Sequence, residues 1–224
     1  MKNLVSSNSL QGYKTYLQHL GKTLKYALYV ISHPLDGFWD LTHEKRGSLA
    51  AANIIVLLTL LTQVWQLQYT SFVFMRVNWE HINIFMQIAS TLVPLLIWCL
   101  ANWGLTTLFD GKGTLSQVYM GTAYALTPYP LIQIPLIVLS NCVTADEASF
   151  YLVLSNISLI WTVMLIFLAM MMIHSYSLGK NVLFTIASLF GMAVIIFILL
   201  LFFSLISDAF AYFISLYKEI VFRL

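Results

Sequence analysis

Long apolar runs alternate with short polar breaks along this chain. Residues 49–68, 82–108, 117–140, 149–173 and 182–206 form five such runs. Each reaches the roughly 20 residues that a helix needs to cross about 30 Å of hydrocarbon. None contains Asp, Glu, Lys, Arg or His. Backbone N–H and C=O groups cannot stay unpaired in lipid, so these runs must be helical. The pattern predicts an all-α polytopic membrane protein: five transmembrane helices over 48–207, a cytoplasmic N-terminal segment over 1–47 and a short C-terminal tail over 208–224.

The segment before the first run has its own period. Leu10, Tyr13, Leu17, Leu20, Leu24, Ala27 and Ile31 recur at steps of three and four, which is one face of a helix over about 10–31. Lys14, Lys22 and Lys25 lie off that stripe. A basic amphipathic helix of this kind lies in the headgroup layer or docks a partner, and the surface helix is the preferred expectation. Pro34 ends it. Phe38 and Trp39 follow as expected contacts to the membrane surface or a partner. No apolar h-region precedes the first run, so that run is expected to serve as the insertion signal.

Charge then orients the spans. Of the 11 basic residues, eight fall before the first run and in the loops carrying Lys112 and Lys180, against three on the other side: Arg76, Lys218 and Arg223. The positive-inside rule puts the N-terminus in the cytoplasm and the C-terminus outside. The overall composition agrees with a lipid-embedded chain, being 60% hydrophobic and 9% charged. Cys99 and Cys142 read as small hydrophobes, and no Cys/His spacing suggests a metal, so no cofactor is expected.

The third run carries the most unusual chemistry. Tyr124, Thr127, Pro128, Tyr129, Pro130, Gln133 and Pro135 fall within twelve residues, and three prolines in eight cannot sit in a straight helix. A break near 127–135 frees carbonyls that Thr127, Tyr124, Gln133 or another span must satisfy, with Asn53, Gln63, Gln87, Asn102 and Asn156 as candidates. Broken helices at membrane depth mark substrate sites in many transporters, and are also tolerated where neighbours cover them. The structural reading is preferred. Thr114 with Gln117 is a capping box. Pro94 falls midway in the second run, and Ala187 with Gly191 forms a small-xxx-small face for helix packing. His174-Ser175-Tyr176-Ser177 at the end of the fourth run has no acidic residue near in sequence, and is expected to be a solvated helix end rather than a catalytic pair. The charge-free spans speak against ion coupling and intramembrane acid–base catalysis.

Several segments together resemble the bacterial branch of the Yip-domain family, the Ypt/Rab-interacting proteins. They are Glu44-Lys45-Arg46-Gly47-Ser48, Phe109-Asp110-Gly111-Lys112-Gly113-Thr114, Tyr119, Ala123-Tyr124-Ala125-Leu126-Thr127-Pro128-Tyr129, Pro135 and His174-Ser175-Tyr176-Ser177 with Lys180. The resemblance covers roughly residues 30–210. It implies five spans, no catalytic residues, and partners among other membrane proteins. Bacterial relatives resemble accessory proteins, some associated with carbohydrate ABC transporters. Eukaryotic members carry an Asp-Leu-Tyr-Gly-Pro motif before the first span. This chain has Pro34-Leu35-Asp36-Gly37-Phe38-Trp39 there, which speaks against a Rab-type GTPase as partner. The expectation is a non-enzymatic scaffold or accessory subunit of the bacterial cytoplasmic membrane, contacting the lipid bilayer and other membrane proteins, possible ABC transporter subunits among them, but no nucleic acid. The alternatives are a neutral-solute permease using the broken third span, and lipid handling or membrane shaping.

Overall fold

The computed structural model describes residues 18–74, 83–109, 111–144 and 147–223. Among them every regular element is helical. Helix α1 covers 18–32 and α2 covers Pro34–His43. The spans follow: α3 Leu49–Tyr69, α4 Ile84–Leu108, α5 Leu115–Ala125 with α6 Pro128–Ser140, α7 Ala148–His174 and α8 Leu178–Arg223. Five helical stretches are long and apolar enough to cross a bilayer, the α5–α6 pair counting as one. The chain is an integral membrane protein with five transmembrane helices.

Local sequence sets the helix starts. Ser48 caps α3 by accepting the Ala51 N–H. Asn83 caps α4, accepting from Phe85 and Met86. Thr114 and Gln117 form the reciprocal capping box of α5. Each cap satisfies donors that a helix start leaves open, and is worth about 1 kcal/mol. Pro34 divides α1 from α2 and opens α2 at its first turn, where its missing N–H costs nothing.

The third span is the centre of the bundle. Half of it is buried, against a third or less of the other spans. Val118, Ala123, Tyr124 and Ala125 of α5 pack with Ala51, Ala52 and Ile55 of α3, Cys99 of α4, and Leu165, Ala169 and Ile173 of α7. The many alanines let the backbones approach closely, which is how helices associate where lipid removes the hydrophobic drive. Gly121 belongs to the same seam: a Cβ there would run into Ile173 Cδ1.

One expectation about the N-terminal segment is met and another is corrected. Helix α1 is the expected amphipathic surface helix, with Lys22 and Lys25 exposed and Ala27 and Val30 buried against the core that α5 and α7 build. Phe38, expected as a surface contact, is instead fully buried in that core. The physical reason is the turn at Pro34, which folds α2 back so that Gly37 packs onto Val30 and Phe38 faces the bundle. Burying that ring is worth about 1.5–3 kcal/mol. Lys14 and the start of the expected helix lie outside the described residues.

Residues 208–223, expected as a tail, continue α8 without interruption, making it 46 residues long. At about 1.5 Å per residue it extends roughly 69 Å.

One hydroxyl fastens α1 to α2. Tyr26 donates to the Gly37 carbonyl at 2.8 Å. Burial, and after it the Asp40 carboxylate, push the Tyr26 pKa up to about 12. An unfolded tyrosine ionises near 10. Between pH 10 and 12 the detached segment therefore loses a proton that the docked one keeps, and docking weakens as pH rises through that window. Hydrogen exchange of α1 and α2 amides should accelerate over this range, and Tyr26→Phe should remove the extra pH dependence.

Candidate functional site

The third span breaks where its prolines demand. Pro128 has no N–H to give the Tyr124 carbonyl. Thr127 supplies two substitutes: its backbone N–H reaches that oxygen at 3.2 Å and its hydroxyl at 2.6 Å. Pro130 leaves the Leu126 carbonyl in the same position, and the Tyr129 N–H takes it at 3.0 Å. Leu126 N–H turns to Ala123 O at 3.1 Å. The break is thus a run of tight three-residue turns closed by its own residues. Pro135 lies inside α6 on an exposed position.

The side chains around the break then tie elements together. The Tyr124 ring is fully buried. Its hydroxyl accepts the Ser48 N–H at 3.3 Å and donates to the Thr23 carbonyl at 3.4 Å. The Ser48 hydroxyl donates to Thr23 Oγ1 at 3.2 Å, so α1, the start of α3 and α5 meet at one point. Tyr129 donates to Gln66 Oε1 at 3.0 Å and Tyr119 to Asn53 Oδ1 at 2.7 Å. Gln133, 2% exposed, donates through Nε2 to Ser158 at 2.8 Å and Ser155 at 3.1 Å. Its Oε1 has no partner. Reversing the amide would give up the shorter of those bonds, because Ser158 already spends its proton on the Ser155 carbonyl.

Three of the inter-span polar residues proposed as partners for the break do other work. Asn53 serves Tyr119, Gln63 accepts from Thr91 at 2.6 Å, and Asn102 joins a second cluster that the sequence reading missed. There His174 Nδ1 accepts the Gly113 N–H at 3.2 Å, while Nε2 meets Asn102 Oδ1 at 3.0 Å. Asn102 Nδ2 donates to Ser188 Oγ at 3.1 Å. This order of donors makes His174 the Nε2–H tautomer. One chain of bonds therefore links the α4–α5 loop, α4, α7 and α8. His174 is 2% exposed, which corrects the expectation of a solvated helix end. Gly113 explains the closeness, for a Cβ there would lie 2.5 Å from Ile173 Cγ2 and 2.8 Å from His174 Cε1. The available signal was the glycine pair of the α4–α5 loop, which leaves a side chain from elsewhere room to reach the backbone. Beside the cluster the His174, Tyr176 and Phe184 rings stack in series, and Lys180 Nζ sits 4.7 Å from the Tyr176 ring centroid.

The remaining candidate positions sit apart. Lys22 and Lys25 are exposed on α1. Trp39 is exposed on α2 and stacks on His43 at 3.7 Å between centroids. In α8, Gly191 faces Leu105 and Ala101 of α4, and Ala187 is half-buried. An apolar groove of about 430 Å³ opens between α3 and α6, bounded by Trp65, Tyr69, Ile137, Val138 and Asn141. Among the described residues no three His, Cys, Asp or Glu side chains converge as metal ligands.

A sequence model of the Yip1 domain matches residues 28–203, most of the chain. No curated protein and no solved structure matches it.

The two polar knots should be felt as stability. Tyr124→Phe strips partners from the Ser48 N–H and the Thr23 carbonyl, and Asn102→Leu strips them from His174 and Ser188. Each should cost about 1–3 kcal/mol, the range for a buried polar group left unsatisfied. Thermal unfolding of the detergent-solubilised protein would measure both losses. Only Tyr124→Phe should also speed exchange in α1.

Proposed function

The chain belongs to the Yip1 domain family, and from that premise we propose that it is a non-enzymatic scaffold or accessory subunit that binds other membrane proteins. The observation that carries this reading is the closure of the broken third span. The carbonyls stranded by Pro128 and Pro130 are taken by Thr127 and Tyr129, and its buried side chains reach neighbouring helices rather than a common centre. A solute pathway needs polar groups that converge on a shared space, and an enzyme needs an activated pair. Neither arrangement is needed to account for these residues, whereas tying α1, α3 and α7 to the third span uses Tyr124, Tyr129 and Gln133.

The α1–α2 pair is the proposed contact surface. Held from below by Tyr124 and by the buried Phe38, it turns outward Lys22, Lys25, Leu28, Leu35 and Trp39. A mixed basic and aromatic surface of that kind suits a partner with an acidic, partly apolar face. By the distribution of basic residues this side is cytoplasmic, and the resemblance to the family's bacterial branch implies the bacterial cytoplasmic membrane and makes subunits of an ABC transporter a fitting class of partner. A Rab-type GTPase is not part of the proposal.

A permease for a neutral solute is the second reading. It is favoured by Gln133 Oε1, an acceptor inside the membrane without a donor. The apolar α3–α6 groove is the one observation that favours lipid handling.

Crosslinking in native membranes followed by affinity capture decides among them. The scaffold reading expects one stoichiometric membrane partner, whose recovery falls severalfold in a Lys22→Glu, Lys25→Glu, Trp39→Ala variant that is expressed at normal levels. Uptake of neutral sugars or polyols by liposomes holding the purified chain, abolished by Gln133→Ala, would overturn it in favour of the permease.

A further inference from the structure

Helix α8 is longer than any bilayer requires. The hydrocarbon layer is about 30 Å thick, and even a tilt of 40° lets it hold only about 26 helical residues. Counting from Lys180, that stretch is used up near Asp208, the first charged residue after it. The remaining turns, to Arg223, therefore pass beyond the hydrocarbon on the side away from α1 and α2. From Leu189 to Phe222 none of the described residues is buried. Yet the projecting part is not polar, for Phe210, Phe213 and Tyr217 are each about two-thirds exposed there, at 65%, 65% and 69%.

The projecting turns cannot easily lie down on the membrane. A helix folds over at a glycine, a proline or an inserted turn, and the sequence has neither residue between Met192 and Arg223. The helix also runs through Asp208 without a break. A straight helix standing in water with an apolar stripe needs protein to cover it.

The spacing of the stripe says which protein. Phe203, Phe210 and Tyr217 repeat every seven residues, and Ile206, Phe213 and Ile220 repeat with them at an offset of three. These are the a and d positions of a heptad seam. Ser204, Asp208, Ser215, Lys218 and Glu219 all fall at b, c or f, the outer side of that seam. The flanking e and g positions hold Ser207, Ala209, Ile214, Leu216 and Val221 and, before the last turn, no charge to steer a foreign helix. A seam without charges at its edges pairs as well with itself as with anything, and a two-fold contact makes each residue its own counterpart's neighbour. Each aromatic ring brings about 150–250 Å² of surface, so half-burying four of them with their aliphatic neighbours approaches the roughly 800 Å² per partner of a stable interface.

We propose that this chain forms a homodimer through α8, two copies packing in parallel along Phe203, Ile206, Phe210, Phe213, Tyr217 and Ile220. This is independent of the scaffold reading, because the surface lies at the opposite end of the molecule from α1 and α2.

Disulfide mapping in native membranes tests it on the full chain. In a Cys142→Ser background, Phe213→Cys, Tyr217→Cys and Ile220→Cys should give an oxidised band at twice the chain mass. Asp208→Cys, Ser215→Cys and Lys218→Cys should give severalfold less. A Phe210→Asp, Phe213→Asp variant should lose the Ile220→Cys crosslink while its monomer is still expressed and membrane-inserted. Equal crosslinking at all six positions, none at any, or a band of other mass from a foreign protein would each overturn the homodimer.

Discussion

Lipid offers no hydrogen bonds, and the centre of this bundle is organised by that refusal. The third span carries prolines that remove donors at membrane depth, so each carbonyl they strand must find a donor from the protein. Thr127 and Tyr129 answer from within the break. Because they do, the chain can pass from α5 to α6 at Leu126 and Thr127, both in right-handed helical backbone, without water. This single span touches several others: α5 packs on α3, α4 and α7, and α6 reaches α7 through Gln133 and α3 through Tyr129.

Uncharged polarity is the second consequence. A charge at membrane depth is costly, whereas an amide or hydroxyl costs little once paired. Accordingly the interhelical ties are Tyr, Asn, Gln, Ser and Thr, each with a named partner on another helix. Such ties are directional where packing of Leu and Ile is not. They fix the rotation of α4 against α7 and α8 through Asn102, and of α5 against α1 through Tyr124. The same economy limits the chemistry of the interior. His174 is the one buried imidazole among the described residues, and both its nitrogens are committed to structure.

How much of this was legible in the sequence follows from the range of each signal. Span positions and the Thr114–Gln117 cap depend on residues within one helix, and hydropathy with spacing reports them. So does the break, because a proline acts on a carbonyl only four residues away. Partners on other helices lie 11 to 101 residues away. Nothing local says that Asn102 meets His174, or that Tyr124 reaches back to Thr23. Phe38 shows the same limit. An aromatic beside a tryptophan and acidic residues reads as interfacial, and only the return of α2 over Val30 reveals it as core. The extent of α8 was missed for a different reason. A charge marks the end of a hydropathy window, but it does not end a helix. Asp208, Lys218 and Glu219 are compatible with helical backbone, and no glycine or proline follows Met192.

The two ends of the molecule are therefore built to different rules. At one end α1 and α2 are held down by buried contacts and by hydroxyl bonds to backbone, so their outward residues are presented on a fixed base. At the other end α8 packs on α4 and α7 through its first half, and from Leu189 to Phe222 none of its described residues is buried. A fixed surface can select a partner by shape and charge, because the cost of ordering it has already been met during folding. A free apolar helix selects poorly by shape but gains much area from any helix with the same repeat, and a second copy always carries that repeat. Pairing along α8 would leave both α1–α2 surfaces open and facing the same side of the membrane. Two such surfaces on one rigid assembly bind a two-fold or paired partner with a higher effective concentration than either alone. That arrangement would give the proposed scaffold a physical means of holding other membrane proteins together.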